Sequence, residues 1–337
     1  MNTVRCLATF VVPFVLSWST VALAQQPAAV AAESPLARSA LDHVLLWSKD
    51  IDRVTAILAV KLGFQVRTGG DFPDGVANRL VWFYNDTYLE LLYFTKAAAQ
   101  LDGDALAAYR YAARGPGANS FALTVLDPEK ARAHLESAGY PLKLPEPTLF
   151  TPEGPGREPP QEPLWTTVGF QRSPLRGSEI FFIRYSDPPP TPEQRANSRV
   201  FRTHPNGGQR ISSVWLLVED AEAERRALER LGIGERVTSV RMPHIGAHGF
   251  AVEFRGDRIL VLQPDGSGQA LEAFAERGAQ LLGVSIETDA LDRAKRLVER
   301  GYGTKIEPYT GWGGTAFLAP SRKDLGLIIE FHAATRP

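Results

Sequence analysis

Cysteine is almost missing from this chain. Its 337 residues include one, Cys6, which lies inside an apolar N-terminal stretch. If that stretch is removed, the remaining chain has no thiol, so disulfides, thiolate nucleophiles and cysteine metal ligands are excluded together. A chain without cysteine suits an oxidising compartment such as a periplasm.

An excess of positive charge is missing as well. The chain carries 37 Lys and Arg against 38 Asp and Glu, and it has no cluster of basic residues that would neutralise phosphates. Nucleic acid is therefore excluded as a partner. The glycine patterns of nucleotide sites, the G-x-S-x-G turn of hydrolases and the H-E-x-x-H pair of zinc proteases are also absent, so no nucleotide cofactor is expected.

Long apolar runs are limited to the N-terminus. Residues 1–24 combine one positive charge, an apolar segment and a final Ala22-Leu23-Ala24, which is the small-x-small pattern of a signal peptidase site. Pro13 interrupts the segment, which disfavours a retained membrane helix. We therefore predict a signal peptide at 1–24, a flexible leader at 25–38, export to the periplasm or the medium, and no membrane contact after cleavage.

A pattern of strand, cap and helix occurs four times along the rest of the chain. Each copy has an apolar strand, an acidic residue such as Asp127 where a helix begins, a helix of amphipathic character, and a glycine followed by an apolar residue where the helix ends. The four copies span residues 41–64, 120–140, 213–233 and 283–303.

Three strand-like segments follow each helix, so each copy is a β-α-β-β-β module. Tight turns at Asn85-Asp86 and Gly256-Asp257 join the last two segments of the first and third modules. One module cannot bury both faces of its sheet, so the modules are expected to pair. The prediction is an α+β fold of four modules paired into two half-open barrels, with an N-terminal pair at 39–187, a linker at 188–208 and a C-terminal pair at 209–335.

Three segments carry a family resemblance. LDHVLLWSKDIDR (41–53), NRLVWFYNDTYLELLYF (78–94) and WTTVGFQRSPLRGSEIFFIRYS (165–186) resemble the vicinal-oxygen-chelate superfamily, and most of all its glyoxalase-like proteins. The resemblance implies the barrel fold of the glyoxalases, bleomycin-resistance proteins and extradiol dioxygenases. It does not imply one reaction, because the superfamily includes isomerases, lyases, dioxygenases, epimerases and binding proteins.

The same resemblance points to one pair of residues in the first module. Metal-dependent members of the superfamily take a histidine from a module's first strand and a glutamate from its last, and His43 and Glu90 stand at these places. Glu90 is flanked by leucines, so its carboxylate needs a partner. The implied site holds one divalent metal (Zn, Fe, Mn or Ni) on His43 and Glu90, or uses them as general base and orienting acid. A structural hydrogen-bonded pair is the alternative.

The other three modules depart from this pattern. The two histidines and one glutamate that hold iron in the extradiol dioxygenases are not supplied, so ring cleavage with iron is not expected. The residues at the corresponding places are Ser120 and Phe181 to Ile183 in the second module, Ser213 and Val261 or its neighbour in the third, and Gly283 and Glu330, followed by His332, in the fourth.

Further candidates surround the two predicted clefts. Glu330 is the candidate site residue of a second cleft, together with His244 and His248. The two histidines come from a loop rich in glycine and proline, and the alternative is that they are solvated loop residues without a role in a site. An aromatic-lined cleft is the usual site of a small ligand, although packing inside the barrels is the alternative for each aromatic. The pocket-lining candidates are Trp165, Tyr93, Ser120, His204 and Trp312, the last as a lid.

Two functions are open for such a fold. One is an exported enzyme of the lyase or isomerase type that acts on a small oxygen-rich organic molecule, and the joint presence of His43 and Glu90 favours it. The other is a non-catalytic protein that binds and sequesters a small molecule, which the missing ligands favour. A third interpretation gives the C-terminal pair only a structural role, as a cover or as the contact of a homodimer.

Overall fold

A computed structural model gives the architecture of the chain. Within the described residues, 16 strands form one sheet and eight α-helices cover it. No helix in this part of the chain is both long and apolar enough to cross a membrane. The described residues are 34–145, 151–152, 164–186, 191–311 and 313–334.

The first module follows the predicted order. Asp50 caps its helix by accepting the N–H of Arg53 at 3.0 Å, and the helix continues into a π-helical turn at Ile57–Lys61. Gly63, with a φ of +71°, takes the left-handed conformation that ends this turn. The elements are β1 (Leu41–Trp47), α1 (Ile51–Ala56), β2 (Arg67–Asp71), β3 (Val76–Trp82) and β4 (Tyr88–Phe94).

The second module is preceded by a helix that the sequence pattern did not predict, α2 (Gly103–Ala112). Asp127 caps the expected helix by accepting the N–H of Lys130 at 3.0 Å. Most of the Pro- and Gly-rich stretch of this module lies outside the described residues. The remaining elements are β5 (Gly117–Thr124), α3 (Pro128–Ser137), β6 (Thr151–Pro152), β7 (Trp165–Gly169) and β8 (Glu179–Tyr185).

The predicted linker contains an ordered helix, α4 (Pro192–Arg202). Its last residue, Arg202, is buried, donates to the carbonyl of Phe83 at 3.2 Å and pairs with the carboxylate of Asp86. The segment is therefore fastened to the N-terminal pair of modules at this end. The proline-rich composition at 186–194 did not indicate this helix, because the residue that attaches the helix to the sheet, Arg202, lies beyond that stretch.

The C-terminal half repeats the arrangement with one helix between its modules, α6, that was also not predicted. Asp220 caps the first helix of this half by accepting the N–H of Ala223 at 2.9 Å. The elements are β9 (Gly208–Leu217), α5 (Ala221–Arg230), β10 (Arg236–Met242), β11 (Ala247–Phe254), β12 (Asp257–Pro264), α6 (Gln269–Arg277), β13 (Gln280–Thr288), α7 (Leu291–Tyr302), β14 (Tyr309–Gly311), β15 (Gly314–Ala319), α8 (Arg322–Leu325) and β16 (Ile328–Ala333).

The modules pair as predicted. In the N-terminal half, β1 runs parallel to β4 and antiparallel to β5, which in turn runs parallel to β8. In the C-terminal half, β9 stands in the same relation to β12 and β13, and β13 to β16. The two halves meet where Leu281 pairs with Ala118. The result is an α+β fold in which the single sheet curls in each half without closing.

Two local predictions need correction. The turn between β11 and β12 consists of Arg255 (φ +45°) and Gly256 (φ +81°), one position earlier than expected, because this tight turn needs two residues with positive φ. Asp257 is instead a buried strand residue that accepts the N–H of Leu41 at 2.9 Å. The predicted leader ends in a turn whose Leu36 is 2% exposed and belongs to the core, so residues 34–38 are not a loose extension.

Candidate functional site

A cleft of about 570 Å³ lies on the inner face of the N-terminal half. Its floor and walls come from β1 to β4 of the first module and from β7 and β8 of the second. Both predicted residues, His43 and Glu90, line it. The aromatic rings of Trp47, Trp165 and Phe181 also line it, so the cleft is mainly apolar with a few polar groups on its floor.

His43 is held from several sides. The residue is 3% exposed, and its ring stacks on Tyr88 with ring centres 4.4 Å apart and meets the edge of Phe181 at 5.5 Å. Nδ1 lies 2.6 Å from a carboxylate oxygen of Asp42, and Nε2 lies 3.5 Å from Oε2 of Glu90. Because Asp42 binds Nδ1, the free nitrogen Nε2 is the one that faces Glu90.

A bulge in β1 allows the neighbours Asp42 and His43 to meet. Successive side chains of a regular strand point to opposite faces of the sheet. Against β5, however, Leu41 pairs with Leu123 and His43 already pairs with Ala122, so Asp42 is an extra residue on its strand. Such a bulge redirects a side chain, here that of Asp42 toward the imidazole.

Glu90 is supported by Asn78 on the adjacent strand. The Asn78 side chain donates from Nδ2 to Oε1 of Glu90 at 2.7 Å and accepts the N–H of Gly70 at Oδ1, at 2.9 Å. Gly69 leaves the space for this amide, because a Cβ there would lie 1.8 Å from Oδ1 of Asn78. The expected buried carboxylate thus has its partners, and its orientation is set by a second buried side chain.

Two tyrosines extend the network into the second module. Tyr185 donates to the Asp42 carboxylate at 2.8 Å, and the hydroxyls of Tyr185 and Tyr88 are 3.0 Å apart. Burial and the Asp42 carboxylate raise the pKa of Tyr185 above its ordinary value. Burial and the neighbouring Tyr185 and Glu90 raise the pKa of Tyr88 likewise. Both hydroxyls therefore stay protonated, and the oxygen of Asp42 that contacts His43, Oδ1, also accepts the hydroxyl of Tyr185.

The strand ladders identify the residues that correspond to His43 and Glu90 in the second module. β1 and β5 are the first strands of the two modules, and a local two-fold rotation relates one to the other. This rotation places His43 of β1 at the position of Ser120 on β5. On β4 and β8 it matches Glu90 with Phe181. Ser120 lines an adjacent hollow of about 770 Å³, whereas Phe181 contributes its ring to the cleft.

The donor set of the cleft does not fit a resident metal. His43 and Glu90 supply two ligands, whereas catalytic zinc sites take three from the protein. The places that would supply the others hold a serine and a phenylalanine, and the carboxylate of Asp42 is directed at the rear nitrogen of the imidazole. Within the described residues, no group of three or more His, Cys, Asp and Glu side chains is arranged for a metal.

The C-terminal half retains one carboxylate at the corresponding place, Glu330, and satisfies it internally. Ser285 donates to Oε2 at 2.5 Å, and the hydroxyl of Tyr309 donates to Oε1. Trp215 is fully buried and corresponds in the C-terminal half to Leu45, which lines the cleft of the N-terminal half. Its indole N–H donates to the hydroxyls of Ser213 and Ser285. Side chains of the fold thus occupy the interior around Glu330.

The two histidines predicted beside Glu330 lie in different places. His244 stacks on Tyr309 with ring centres 3.8 Å apart, and burial lowers the pKa of His244 to about 4. His248 is a residue of β11, pairs with Asp265 and lines a separate groove beside α5. The structure therefore connects His244 with Glu330 through Tyr309, and it does not bring His248 to that cluster.

The predicted pocket-lining residues are similarly divided. Trp165 lines the cleft. Tyr93 does not, because its ring lies beside Arg79 on the other face of the sheet. His204 is 2% exposed in the core, where it contacts the rings of Phe64 and Phe83, so it does not reach over the cleft. Trp312 lies outside the described residues.

Several cleft residues were not predicted from the sequence. Asp42 could have been suspected as the acidic neighbour of a candidate histidine, and Asn78 as a polar residue in an apolar strand. Tyr88 and Tyr185 carry no such signal, because tyrosine is common in strands. Arg67 follows the first helix of its module as an ordinary strand residue, and only the structure shows that it lines the cleft.

Comparison with solved structures finds the same fold at low sequence identity. A hypothetical protein from Staphylococcus aureus matches 88% of this chain and 100% of its own, with a TM-score of 0.55 and 13% identity. A mutant of 4-hydroxymandelate synthase from Streptomyces coelicolor matches 89% of this chain and 94% of its own, with a TM-score of 0.61 and 13% identity. A xylose isomerase-like TIM barrel/4-hydroxyphenylpyruvate dioxygenase fusion protein matches 91% of this chain and 51% of its own, with a TM-score of 0.52 and 13% identity.

Comparison of sequences gives the family. No curated protein matches the chain. The sequence profile of the glyoxalase-like domain matches residues 41–232, which is more than half of the chain and includes both modules around the cleft. The chain therefore belongs to the glyoxalase-like domain family of the vicinal-oxygen-chelate superfamily.

Proposed function

We propose that the N-terminal cleft is the site of an isomerase- or lyase-type enzyme in which His43 takes a proton from a small organic molecule. The observation that carries the proposal is the arrangement of Asp42, His43 and Glu90. One ring nitrogen of His43 is bound by Asp42, and the other faces Glu90 inside an apolar cleft. A base oriented by a carboxylate on its rear nitrogen is the usual form of an activated imidazole.

The chemistry follows from the charges. Nε2 of His43 receives the proton, and the bonding electrons remain on the substrate carbon that lost it. The imidazolium then lies between the carboxylates of Asp42 and Glu90, which stabilise its positive charge. Return of the proton to a neighbouring substrate atom gives an isomer, and departure of a group next to the carbanion gives a lyase reaction.

Proton exchange with solvent tests this proposal without knowledge of the final product. The protein is incubated in D₂O with a panel of small carbonyl compounds and 2-hydroxy acids, and deuterium uptake at carbon is followed by NMR. We expect uptake from at least one compound, and a loss of about 100-fold or more in His43→Gln. His134→Gln, on the remote helix α3, is the matched control and should keep the wild-type rate. Uptake that is equal in the His43 variant, or no uptake from any compound, would contradict the proposal.

Metal removal gives a second arm of the same test. Because His43 and Glu90 alone make a poor metal site, exchange should survive dialysis against a chelator. If the activity is instead lost on dialysis and restored by zinc, iron, manganese or nickel, the metal-dependent version of the site would replace the acid–base version. Calorimetric titration of the dialysed protein with each ion reports binding independently of turnover.

A non-catalytic binding protein is the second candidate. It is favoured by the loss of the metal-ligand pattern from the second module, where a serine and a phenylalanine stand at the two places. In that case compounds would raise the melting temperature of the protein in a saturable way and be recovered unchanged.

We also propose that the chain is exported and processed. Residues 1–24 have the charge, apolar segment and small residues of a signal peptide. Expression of the full chain in a Gram-negative host, followed by N-terminal sequencing of the periplasmic fraction, should give a first residue of Gln25. Recovery of the uncleaved chain from the membrane fraction would contradict this proposal.

A further inference from the structure

Arg67 stands on the wall of the N-terminal cleft without an acidic partner. We infer that the cleft takes a small aromatic or apolar molecule that carries a carboxylate, and that Arg67 binds this carboxylate. The inference names the substrate class of the site and therefore rests on the proposed function of the cleft. Arg67 is a specificity-determining residue in this view, distinct from the group that moves the proton.

The strand ladders place Arg67 in line with the floor of the cleft. Glu90 on β4 pairs with Leu80 on β3, and Leu80 pairs with Arg67 on β2. Residues paired across a ladder point to the same face, and all three line the cleft. Two strand spacings separate the backbones of Glu90 and Arg67, which is about 10 Å. A molecule of modest size can therefore reach the guanidinium and the imidazole at once.

The environment of Arg67 leaves its charge uncompensated. Within the described part of the chain, its guanidinium makes neither a hydrogen bond nor an ion pair. It instead lies 4.7 Å from the ring centre of Phe201 and 5.7 Å from that of Trp82. Burial, together with the nearby positive charge of Arg202, lowers the pKa of Arg67. A half-buried charge without a counterion is unfavourable, and a bound anion would relieve it.

The neighbouring arginine shows the contrast. Arg202 lies on the same indole, with its guanidinium carbon 4.9 Å from the ring centre of Trp82, and it has both a carbonyl partner and the carboxylate of Asp86. Arg202 thus fastens α4 to the sheet. Trp82 lies against both guanidinium groups and helps to orient that of Arg67, whose five N–H donors remain available to a planar anion.

The other charges of the cleft do not compete for this role. Glu90 is bound to Asn78 and faces His43. Asp74, exposed at the rim, accepts the N–H of Val76 at 3.3 Å. Arg67 is the one lysine or arginine among the described residues that line the cleft. Apolar rings, among them Trp47 and Phe72, make up much of the remaining surface, which suits an aromatic or aliphatic body attached to the anion.

Matched ligands test the inference. Phenylacetate, 3-phenylpropionate and 4-phenylbutyrate are compared with their amides, which have the same shape without the charge, by isothermal titration calorimetry on the full protein. We expect at least one acid to bind about 10- to 100-fold more tightly than its amide. Arg67→Gln should abolish this preference because the acid then binds more weakly, while the affinity for the amide stays the same. Arg67→Lys, which keeps the charge but loses the planar fork, should retain part of it.

The control is Arg236→Gln, which removes the same charge from the distant strand β10, where Arg236 is exposed and pairs with Glu253. It should leave the preference unchanged. Equal affinity of every acid and its amide for the wild type, including the absence of binding by both, would overturn the inference. So would a preference that survives in Arg67→Gln.

The outcome is separable from that of the proposed function. If acids bind through Arg67 but no compound exchanges a proton, the carboxylate site stands and the enzymatic role of His43 fails. If neutral compounds exchange a proton in a His43-dependent manner and acids have no advantage, the enzymatic role stands and the carboxylate site fails.

Discussion

Asn78 orients Glu90: its side-chain nitrogen lies 2.7 Å from one carboxylate oxygen, and its oxygen accepts the N–H of Gly70 at 2.9 Å. The amide therefore connects the backbone of β2 with the acid on β4. Glu90 is 8% exposed, so few water molecules can replace this donor. The carboxylate opposite His43 depends on a residue that does not itself touch the imidazole.

Replacement of Asn78 by Leu tests this dependence. The substitution leaves Oε1 of Glu90 and the N–H of Gly70 without their partners, and buried polar groups without partners are unfavourable. We expect the free energy of unfolding to fall by about 1–3 kcal/mol, measured by urea denaturation. Asn119→Leu is the control, because its half-buried amide lies on β5, two strands from Glu90, and accepts only the hydroxyl of Ser120 among side chains. An equal loss in the two variants would argue against a special role for Asn78.

Gly69 and Asn78 should be energetically coupled. A Cβ at Gly69 would lie 1.8 Å from Oδ1 of Asn78, so Gly69→Ala forces the amide out of its place. We expect this change to cost about 1–3 kcal/mol of unfolding free energy in the wild type. In an Asn78→Ala background the same change should cost less, because the two nearest atoms, Oδ1 and Cγ of Asn78, are gone and only the backbone oxygen remains, at 3.1 Å. A double-mutant cycle measures the difference, and strict additivity would contradict this account.

The modular part of the fold could be predicted because its signals are local. In three of the four modules the predicted acidic cap accepts an N–H three residues later, as Asp50, Asp127 and Asp220 do. In the fourth module the prediction was wrong, because α7 begins after Ala290, which has no side-chain acceptor. Helix ends and strand lengths follow from the same stretch of sequence. The meeting of His43 and Glu90 was also predictable, since they stand on the first and last strands of one module, and these strands are parallel neighbours.

The rest of the cleft depends on contacts between distant parts of the chain. Asp42 reaches His43 only because β1 contains a bulge, and nothing in the residues themselves indicates a bulge there. Tyr185 meets Asp42 across a separation of 143 residues. His204 appeared free to reach the cleft, but the space between Phe64 and Phe83 holds it in the core. Packing decided these positions, and packing is a property of the whole fold.

His204 should make the stability of the protein depend on pH. Its Nδ1 accepts the N–H of Gln65 at 2.9 Å, and burial lowers the pKa of His204 from 6.5 to about 4. Below pH 6.5 the unfolded chain binds a proton at this residue that the folded chain does not. Stability is therefore full above pH 6.5 and falls as the pH is lowered toward 4, by at most about 3 kcal/mol from this residue.

Urea denaturation at a series of pH values measures this slope. His204→Asn keeps an acceptor near the N–H of Gln65 and removes the titrating ring, so the slope between pH 6.5 and 4 should become smaller. The remaining slope comes from other groups. Burial lowers the pKa of His244 to about 4, which acts in the same direction as His204, and raises the pKa of Asp257 to about 6, which acts in the opposite direction. His134→Asn, on helix α3, is the control. An unchanged slope in His204→Asn would show that the pKa of His204 is the same in the folded and the unfolded chain, contrary to the prediction.

Glu330 should matter for stability and not for the cleft. Gln at this position has one oxygen instead of two, so the hydroxyls of Ser285 and Tyr309 can no longer both donate to it as they do to the carboxylate. We expect Glu330→Gln to lower the free energy of unfolding by about 1–3 kcal/mol. Ligand binding and proton exchange in the N-terminal cleft should be unchanged, because that cleft is built from the other pair of modules.

The matched comparison is Glu90→Gln, which makes the same chemical change at the corresponding place of the first module. It removes a negative charge that faces His43 at 3.5 Å, so proton exchange should fall even where the protein remains folded. If Glu330→Gln impaired exchange as strongly as Glu90→Gln, the working site would have to include the C-terminal half. If only Glu90→Gln impaired it, the two carboxylates at corresponding places would have separate roles, one in stability and one in chemistry.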